Sequence, residues 1–447
     1  MSHRPRPMRR ALAGRRVGAP TAVASAANAP PPPPPAAAAV SVASLSPAQL
    51  AANASLADAW RGRLVLAPLT RVGTKPFRRL AAEFGAAVTL SEMAFARPLA
   101  RGDKVERARL RNTAGLEACF GVQVATNNAD ELVAAARLAA DAGARFVDLN
   151  CGCPIHEATR RGLGAAMLRK PAKLARLVAL AAERSPLPLT VKIRTGVTDA
   201  SPNLHVVVPA LAAAGAAIVT VHGRSGEGRY KKSADWDAVQ RVAAATPALP
   251  VAGNGDVLTR LEAERRLGAP GLHAVMVGRG ALIKPWLFRE VAERREWLPD
   301  EGERVGVWWR LVTYFKEYLG DDERGRAKGA WFLPAHIDFL SRYRPLPESV
   351  YGGDDPAAAP LLHRRDDVAD PALGETLGNL SRLERLLRCS APAAHEAVAA
   401  ALWRATTEAD AVRGLEAVAR ESLEGWEAFV LGVRREDGPR NDDRAGG

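Results

Sequence analysis

An alternation narrows the fold of this chain more than any other feature. From Arg63 onward, eight short apolar runs recur, at 64–67, 86–90, 119–124, 146–149, 187–193, 217–221, 249–252 and 274–277. Between most of them lie Ala/Leu/Arg stretches of helical period, such as 129–142, 166–184, 206–214 and 235–245. Such runs read as strands. Alternating with helices, they predict an α/β fold with a parallel sheet. Eight such units over about 220 residues match a closed (β/α)8 TIM barrel. A doubly wound sheet is the alternative. No G-x-G-x-x-G follows the first run, which counts against a dinucleotide-binding version of it.

The flanks differ in texture. Residues 1–57 are Ala/Pro-rich, with an unbroken proline run from Pro30 to Pro35. Such a run favours polyproline II and forms no packed core, so a disordered leader is expected. It holds arginines at 4, 6, 9, 10, 15 and 16 and no acid. That composition resembles a transit peptide for a mitochondrion or plastid. A leader with no address, in the cytoplasm or nucleus, is the other reading. Residues 58–300 hold the barrel. Residues 301–345 carry Trp308, Trp309, Leu311, Tyr314, Phe315, Trp331, Phe332, Phe339, Leu340 and Tyr343 and predict a small C-terminal helical domain. Residues 346–435 are expected to be a Pro/Gly/Asp-rich linker followed by a helical extension, and 436–447 a disordered tail.

The whole chain carries +13, but the leader accounts for six of those charges and the remaining 390 residues for +7. A polyanionic partner is expected, bound through a local patch rather than through net charge. No run of eighteen strongly apolar residues occurs, so no spanning helix and no membrane partner are expected. Four cysteines are too few for a disulfide scaffold and fit a reducing compartment.

Chemistry in such a barrel sits at the C-terminal strand ends. There the sequence is polar or glycine-rich in every unit. Pro68 and Thr70 follow the first run, and Ser91-Glu92-Met93 the second. Gln123 lies in the third, and Asn150 through Pro154 follow the fourth. Lys192 and Arg194 lie in the fifth, His222-Gly223-Arg224 end the sixth, Asn254-Gly255-Asp256 the seventh, and Gly278-Arg279-Gly280 the eighth. Glycines at the last two ends let backbone N–H groups approach an oxyanion, and a helix start follows each. With Arg279 they suggest a phosphorylated cofactor. Lys192 sits inside an apolar strand, where a charge is costly unless paired or functional. Lys192, His222 and Arg224 would converge at the barrel mouth and suit an electron-rich heterocycle such as a reduced flavin.

Cys151 and Cys153 form a C-x-C pair. With His156 nearby but no fourth ligand, a zinc or other metal site is not expected. A disulfide between them is disfavoured by geometry. A mobile thiol acting as acid or nucleophile fits better.

Several of these phrases, in this order, resemble the tRNA-dihydrouridine synthase family over residues 64–290. They are 66–70 (Leu-Ala-Pro-Leu-Thr), Asp148-x-Asn150-x-Gly152-Cys153-Pro154, 161–165 (Arg-Gly-Leu-Gly-Ala), Lys192-x-Arg194-x-Gly196, His222-Gly223-Arg224 and 253–256 (Gly-Asn-Gly-Asp). Phrases at 194–197, 229–230, 234–236 and 280–288 look most like the eukaryotic branch that modifies the variable-loop uridine at tRNA position 47. Leu163 departs from a glycine common in that branch. Its usual N-terminal CCCH zinc fingers have no counterpart, since residues 1–57 contain no cysteine. The resemblance implies FMN reduced by NADPH, and reduction of the C5–C6 bond of a uracil in tRNA. It implies Cys153 as general acid, and Asn150 and Arg161 as substrate contacts. For FMN it implies Pro68, Thr70, Gln123, Lys192, His222, Asn254, Gly255, Asp256, Gly278 and Arg279. Arg224 would face flavin or substrate. The domain at 301–345 would bind tRNA.

Two other functions compete. A dihydroorotate-dehydrogenase-like flavin barrel acting on a free pyrimidine shares the scaffold but needs no helical tRNA-binding domain. A tRNA chaperone that lost its flavin would not need the polar strand ends.

Overall fold

The computed structural model describes residues 43–113, 115–230, 232–353, 360–363 and 368–437. The Arg- and Pro-rich part of the expected leader (1–42), Lys231 and the tail residues 438–447 lie outside them.

The eight apolar runs are eight parallel strands. They are β1 (Leu64–Leu66), β2 (Val88–Leu90), β3 (Cys119–Ala125), β4 (Phe146–Cys151), β5 (Leu189–Arg194), β6 (Ile218–His222), β7 (Val251–Asn254) and β8 (Leu272–Val277). Each pairs in parallel with the next, and β8 returns to β1 through Leu64↔Val275 and Leu66↔Val277, which closes a TIM barrel. The pair Ala94–Phe95 continues alongside β3 after a break. The intervening helices include Ala129–Asp141, Pro171–Ala182, Leu204–Ala213 and Trp236–Ala245.

The leader boundary needs a correction. Helix α1 (Pro47–Trp60) begins ten residues inside the expected leader, with Pro47 in its first turn. Ser46 and Gln49 form a reciprocal capping box that ties down two N–H groups otherwise left without a carbonyl. Leu56 and Trp60 are buried in the apolar lower end of the barrel, with Val65, Val88, Phe146 and Ala274. The Trp60 and Phe146 rings meet edge to face at 5.5 Å. Gly121 accommodates this plug, because a Cβ there would lie 2.1 Å from the Phe146 ring. The bottom of the barrel is therefore filled by α1, which leaves the top for polar groups.

A bundle follows, of α3 (Glu301–Leu319), α4 (Glu323–Leu340), α5 (Arg382–Leu387), α6 (Pro392–Arg404) and α7 (Glu408–Asp437). The division at 345 is also corrected, because α4 packs on α6 and α3 on α7. Gly329 permits the close approach of α4 and α6, since a Cβ there would meet the Trp403 ring at 2.3 Å. The expected linker is partly built in, with Tyr351 and Leu361 buried. One hydrophobic core runs from barrel residues such as Leu66, Phe77 and Val277 to Phe315, Leu340 and Leu402 of the bundle. Helix α2 (Lys75–Glu83), the first barrel helix, joins it: Tyr314 donates to Glu83, and the Arg79 guanidinium lies 3.8 Å from the Tyr314 ring centre.

Candidate active site

Inward-facing positions alternate along each strand. The register therefore sets polar residues of neighbouring strands side by side on two levels: Asn150 opposite Lys192 on one, and Arg194, His222 and Asn254 on the next. With the loops above them they line a cleft of about 1040 Å³, its open mouth included. Of the fourteen residues singled out from the sequence, thirteen line this cleft. Arg161 does not. It pairs with Glu157 and lies 5.1 Å from the Phe95 ring centre, about half exposed.

The lining is electrically lopsided. Four cations, Lys192, Arg194, Arg224 and Arg279, face one carboxylate, Asp256. That carboxylate is already engaged. Arg224 Nη2 donates to both its oxygens at 2.7 and 2.6 Å, Ala234 N donates at 2.7 Å, and Arg279 Nη2 reaches it at 3.4 Å. Asp256 thus holds two arginines in place, an arrangement its motif did not show. Lys192 Nζ donates to Asn254 Oδ1 at 3.1 Å and has no carboxylate within ion-pair distance among the described residues. Burial, aided by repulsion from Arg194, pushes its pKa down to about 8. His222 is held well below its ordinary pKa by burial and by Arg194, Lys192, Arg224 and Arg279. An arginine can only donate, so the 3.3 Å contact from Arg224 Nη1 makes His222 Nε2 the acceptor and leaves the proton on Nδ1. Among the described residues that line the cleft, four cations thus stand against one carboxylate.

Behind the wall runs a chain of side-chain hydrogen bonds. Asp148 accepts from Thr190 Oγ1 at 2.6 Å and from Gln123 Nε2 at 2.8 Å. Gln123 Oε1 accepts from Asn150 Nδ2 at 2.8 Å. Asn150 Oδ1 then accepts from the N–H groups of Gly152 and Cys153 at 3.2 and 2.9 Å. Burial raises the Asp148 pKa to about 6, against the pull of these donors and of Lys192. A carboxylate deep in the barrel therefore orients two amides in turn, and the second shapes the loop that carries Cys153.

The backbone of that loop is tied down around Cys153. The Cys153 N–H is held by Asn150, and its carbonyl accepts from Ala165 N at 3.0 Å. Gly164, with φ +61°, packs so closely that a Cβ there would lie 2.3 Å from the Cys153 carbonyl oxygen. Burial raises the Cys153 thiol pKa, opposed by Arg194, Lys192 and Arg229, so it stays protonated at neutral pH. Cys151 points the other way, fully buried with Sγ 3.8 Å from Met167 Sδ.

Several lining residues were given no site role from the sequence. Arg194 bridges two loops by donating to the carbonyls of Gly152 and Ser225 at 2.8 Å each. Its place at the end of a strand was the available signal. Tyr230 lies under Arg279, 4.1 Å from guanidinium to ring centre. Phe339 of α4 and Leu362 complete the wall from outside the barrel.

A family model described as Dihydrouridine synthase (Dus) matches residues 65–327. The chain belongs to the dihydrouridine synthase family. The match takes in all eight strands and α3. Curated relatives are named tRNA-dihydrouridine(47) synthase. One from Cryptococcus neoformans is 39% identical over 303 residues, covering 64% of this chain and 42% of the relative. A human relative is 40% identical over 287 residues, 64% and 44% of the two chains. One from Arabidopsis thaliana is 34% identical over 342 residues, 74% and 49%. This dihydrouridine synthase family member thus spans less than half the length of the relatives it matches.

Proposed function

We propose that this protein reduces a uridine of tRNA to 5,6-dihydrouridine with FMN bound in the cleft, NADPH serving as reductant. The observation that carries the reading is the Cys153 side chain on the wall of a cleft whose other walls are cationic and glycine-lined.

The cleft fits FMN on its own chemistry. Gly255, at φ +135°, and Gly278 bring backbone to the lining without side chains, and Arg279 stands beside them. Together they suit a phosphate. Lys192, neutral His222 and Arg224 are donors for the carbonyl edge of a flavin ring, and Lys192 balances negative charge there. When bound, FMN supplies the two reducing electrons. The protein's own work is to hold the pyrimidine and deliver a proton. Asn150, its amide oriented through Gln123 by Asp148, sets the loop. The Cys153 Sγ–H donates its proton to C5 of the uracil ring, and burial, which raises the thiol pKa, favours the undissociated form until then. The helical bundle, with Arg324, Arg326, Lys328, Arg342 and Arg344, and the barrel loops with Arg160, Arg161 and Lys232, offer the basic surface for tRNA. Uridine 47, the position in the relatives' names, is the proposed target.

Purified protein with FMN, NADPH and unmodified tRNA should form dihydrouridine, mapped by mass analysis to position 47. Cys153→Ala should lose on the order of a hundred- to ten-thousand-fold in rate while keeping the flavin absorbance. No dihydrouridine from flavin-loaded wild-type protein would refute the function. Full activity of Cys153→Ala would refute the role of the thiol.

A further inference from the structure

Arg71 is an anomaly at the edge of the cleft. It is not glycine, yet its φ is +69°, a left-handed backbone that costs energy for a side-chain-bearing residue. The conformation is held from behind: its N–H donates to Glu92 Oε1 at 2.7 Å. Its neighbours Thr70 and Val72 both line the cleft, so Arg71 stands on the rim between them. Its guanidinium lies 4.5 Å from the ring centre of Trp331.

Trp331 is anomalous in its own way. It belongs to α4, whose other large apolar side chains turn inward, yet it is 56% exposed. Two turns further along the same helix, Phe339 lines the cleft. Arg324 and Lys328, seven and three residues earlier, share the face of Trp331 and are exposed. Glu323 also stands at the start of α4, so the face is not uniformly basic. The Trp331 ring also meets Phe332 edge to face at 4.7 Å, yet more than half of the residue stays open to solvent.

We propose that Arg71 and Trp331 form a stacking platform for an unpaired nucleobase of the RNA, next to the nucleotide that enters the cleft. Every base has a π-face, and an indole backed by a guanidinium is a platform for it. Lys328 and Arg324 lie where the adjoining phosphates would run. The left-handed turn at Arg71 aims the guanidinium outward from the rim onto a ring supplied by a separate part of the fold. The proposal rests on tRNA being the substrate, and the test separates the two.

The test is fluorescence anisotropy of an end-labelled, unmodified tRNA transcript against the full chain across a salt series. Trp331→Ala should weaken binding ~5- to ~150-fold, the equivalent of about 1–3 kcal/mol at about 1.4 kcal/mol per tenfold. Its slope against log salt should match wild type, because stacking releases no counterions. Trp331→Phe should recover most of the loss. Lys328→Ala should instead make the slope shallower by about 0.7–0.9. Arg71→Gly should weaken binding without lowering the unfolding midpoint, since glycine adopts the left-handed turn freely. Wild-type affinity in Trp331→Ala, with wild type itself binding tRNA, would overturn the platform alone. Failure of wild type to bind tRNA would overturn the substrate as well.

Discussion

Replacing Lys192 by methionine should make the flavin-free protein more stable while weakening its hold on flavin. The ammonium sits among cations, and its pKa is depressed from 10.5 to about 8. Each pKa unit is worth about 1.4 kcal/mol, so keeping the charge in the folded protein at pH 7 costs about 3 kcal/mol. Methionine removes that cost. It also removes the bond to Asn254, worth about 1 kcal/mol, and the support that Lys192 gives to ionised Asp148. A gain of about 2 kcal/mol is therefore an upper bound. Its pH dependence is the sharper signature. Between about 8 and 10.5 the unfolded chain binds the Lys192 proton and the folded chain does not, so wild-type stability rises with pH across that window. By about pH 9.5 more than half of the cost of Lys192 is gone, and the advantage of the variant should nearly vanish. Urea unfolding of flavin-free protein at the two pH values measures this. Flavin titration followed by fluorescence quenching should show affinity weakened by ~10- to ~100-fold, as for loss of a charged hydrogen bond. A variant less stable than wild type at pH 7, or a gain that persists at pH 9.5, would refute the reasoning.

Other outcomes follow from particular contacts. Cys151→Ser should leave flavin binding intact but cost about 1–3 kcal/mol in urea unfolding, because it places a hydroxyl in an apolar shell beside Met167. Gly255→Ala should lose flavin at concentrations that saturate wild type, since its φ is +135° and the new Cβ would lie 2.5 Å from that of Ala234; absorbance after gel filtration reads this directly. Deleting residues 1–60 should lower the unfolding midpoint by removing Leu56 and Trp60 from the barrel floor, with a loss of several kcal/mol. An unchanged midpoint for that deletion would contradict the role given to α1.

The barrel was legible because its strands are buried on both faces and so read as unbroken apolar runs. The cleft was legible because polar residues and glycines gather where those runs end. Helix α1 was not, because its Ala-rich sequence blends with the Ala/Pro-rich stretch before it. The Ser46/Gln49 capping box and Trp60 were the local signals that it was folded. The contribution of Phe339 and Leu362 to the cleft was invisible, since nothing in their own segments refers to the barrel. Asp256 and Arg194 were readable as polar strand-end residues, but their partners were not. Who pairs with whom depends on the register between strands that are distant in sequence.

The shared core of barrel and bundle has a mechanical consequence. Leu66, Phe77 and Val277 pack in one apolar mass with Phe315, Leu340 and Leu402. Closing one against the other would mean opening a close-packed interior, which gives way in all-or-none fashion rather than by bending. The span from the floor of the cleft to the outer face of the bundle is then a fixed gauge. A long, folded ligand that touches both must bring its reactive ring to the floor by its own deformation. The cost of that fit falls on the ligand, and molecules stiff at the wrong place are rejected without any contact made to recognise them.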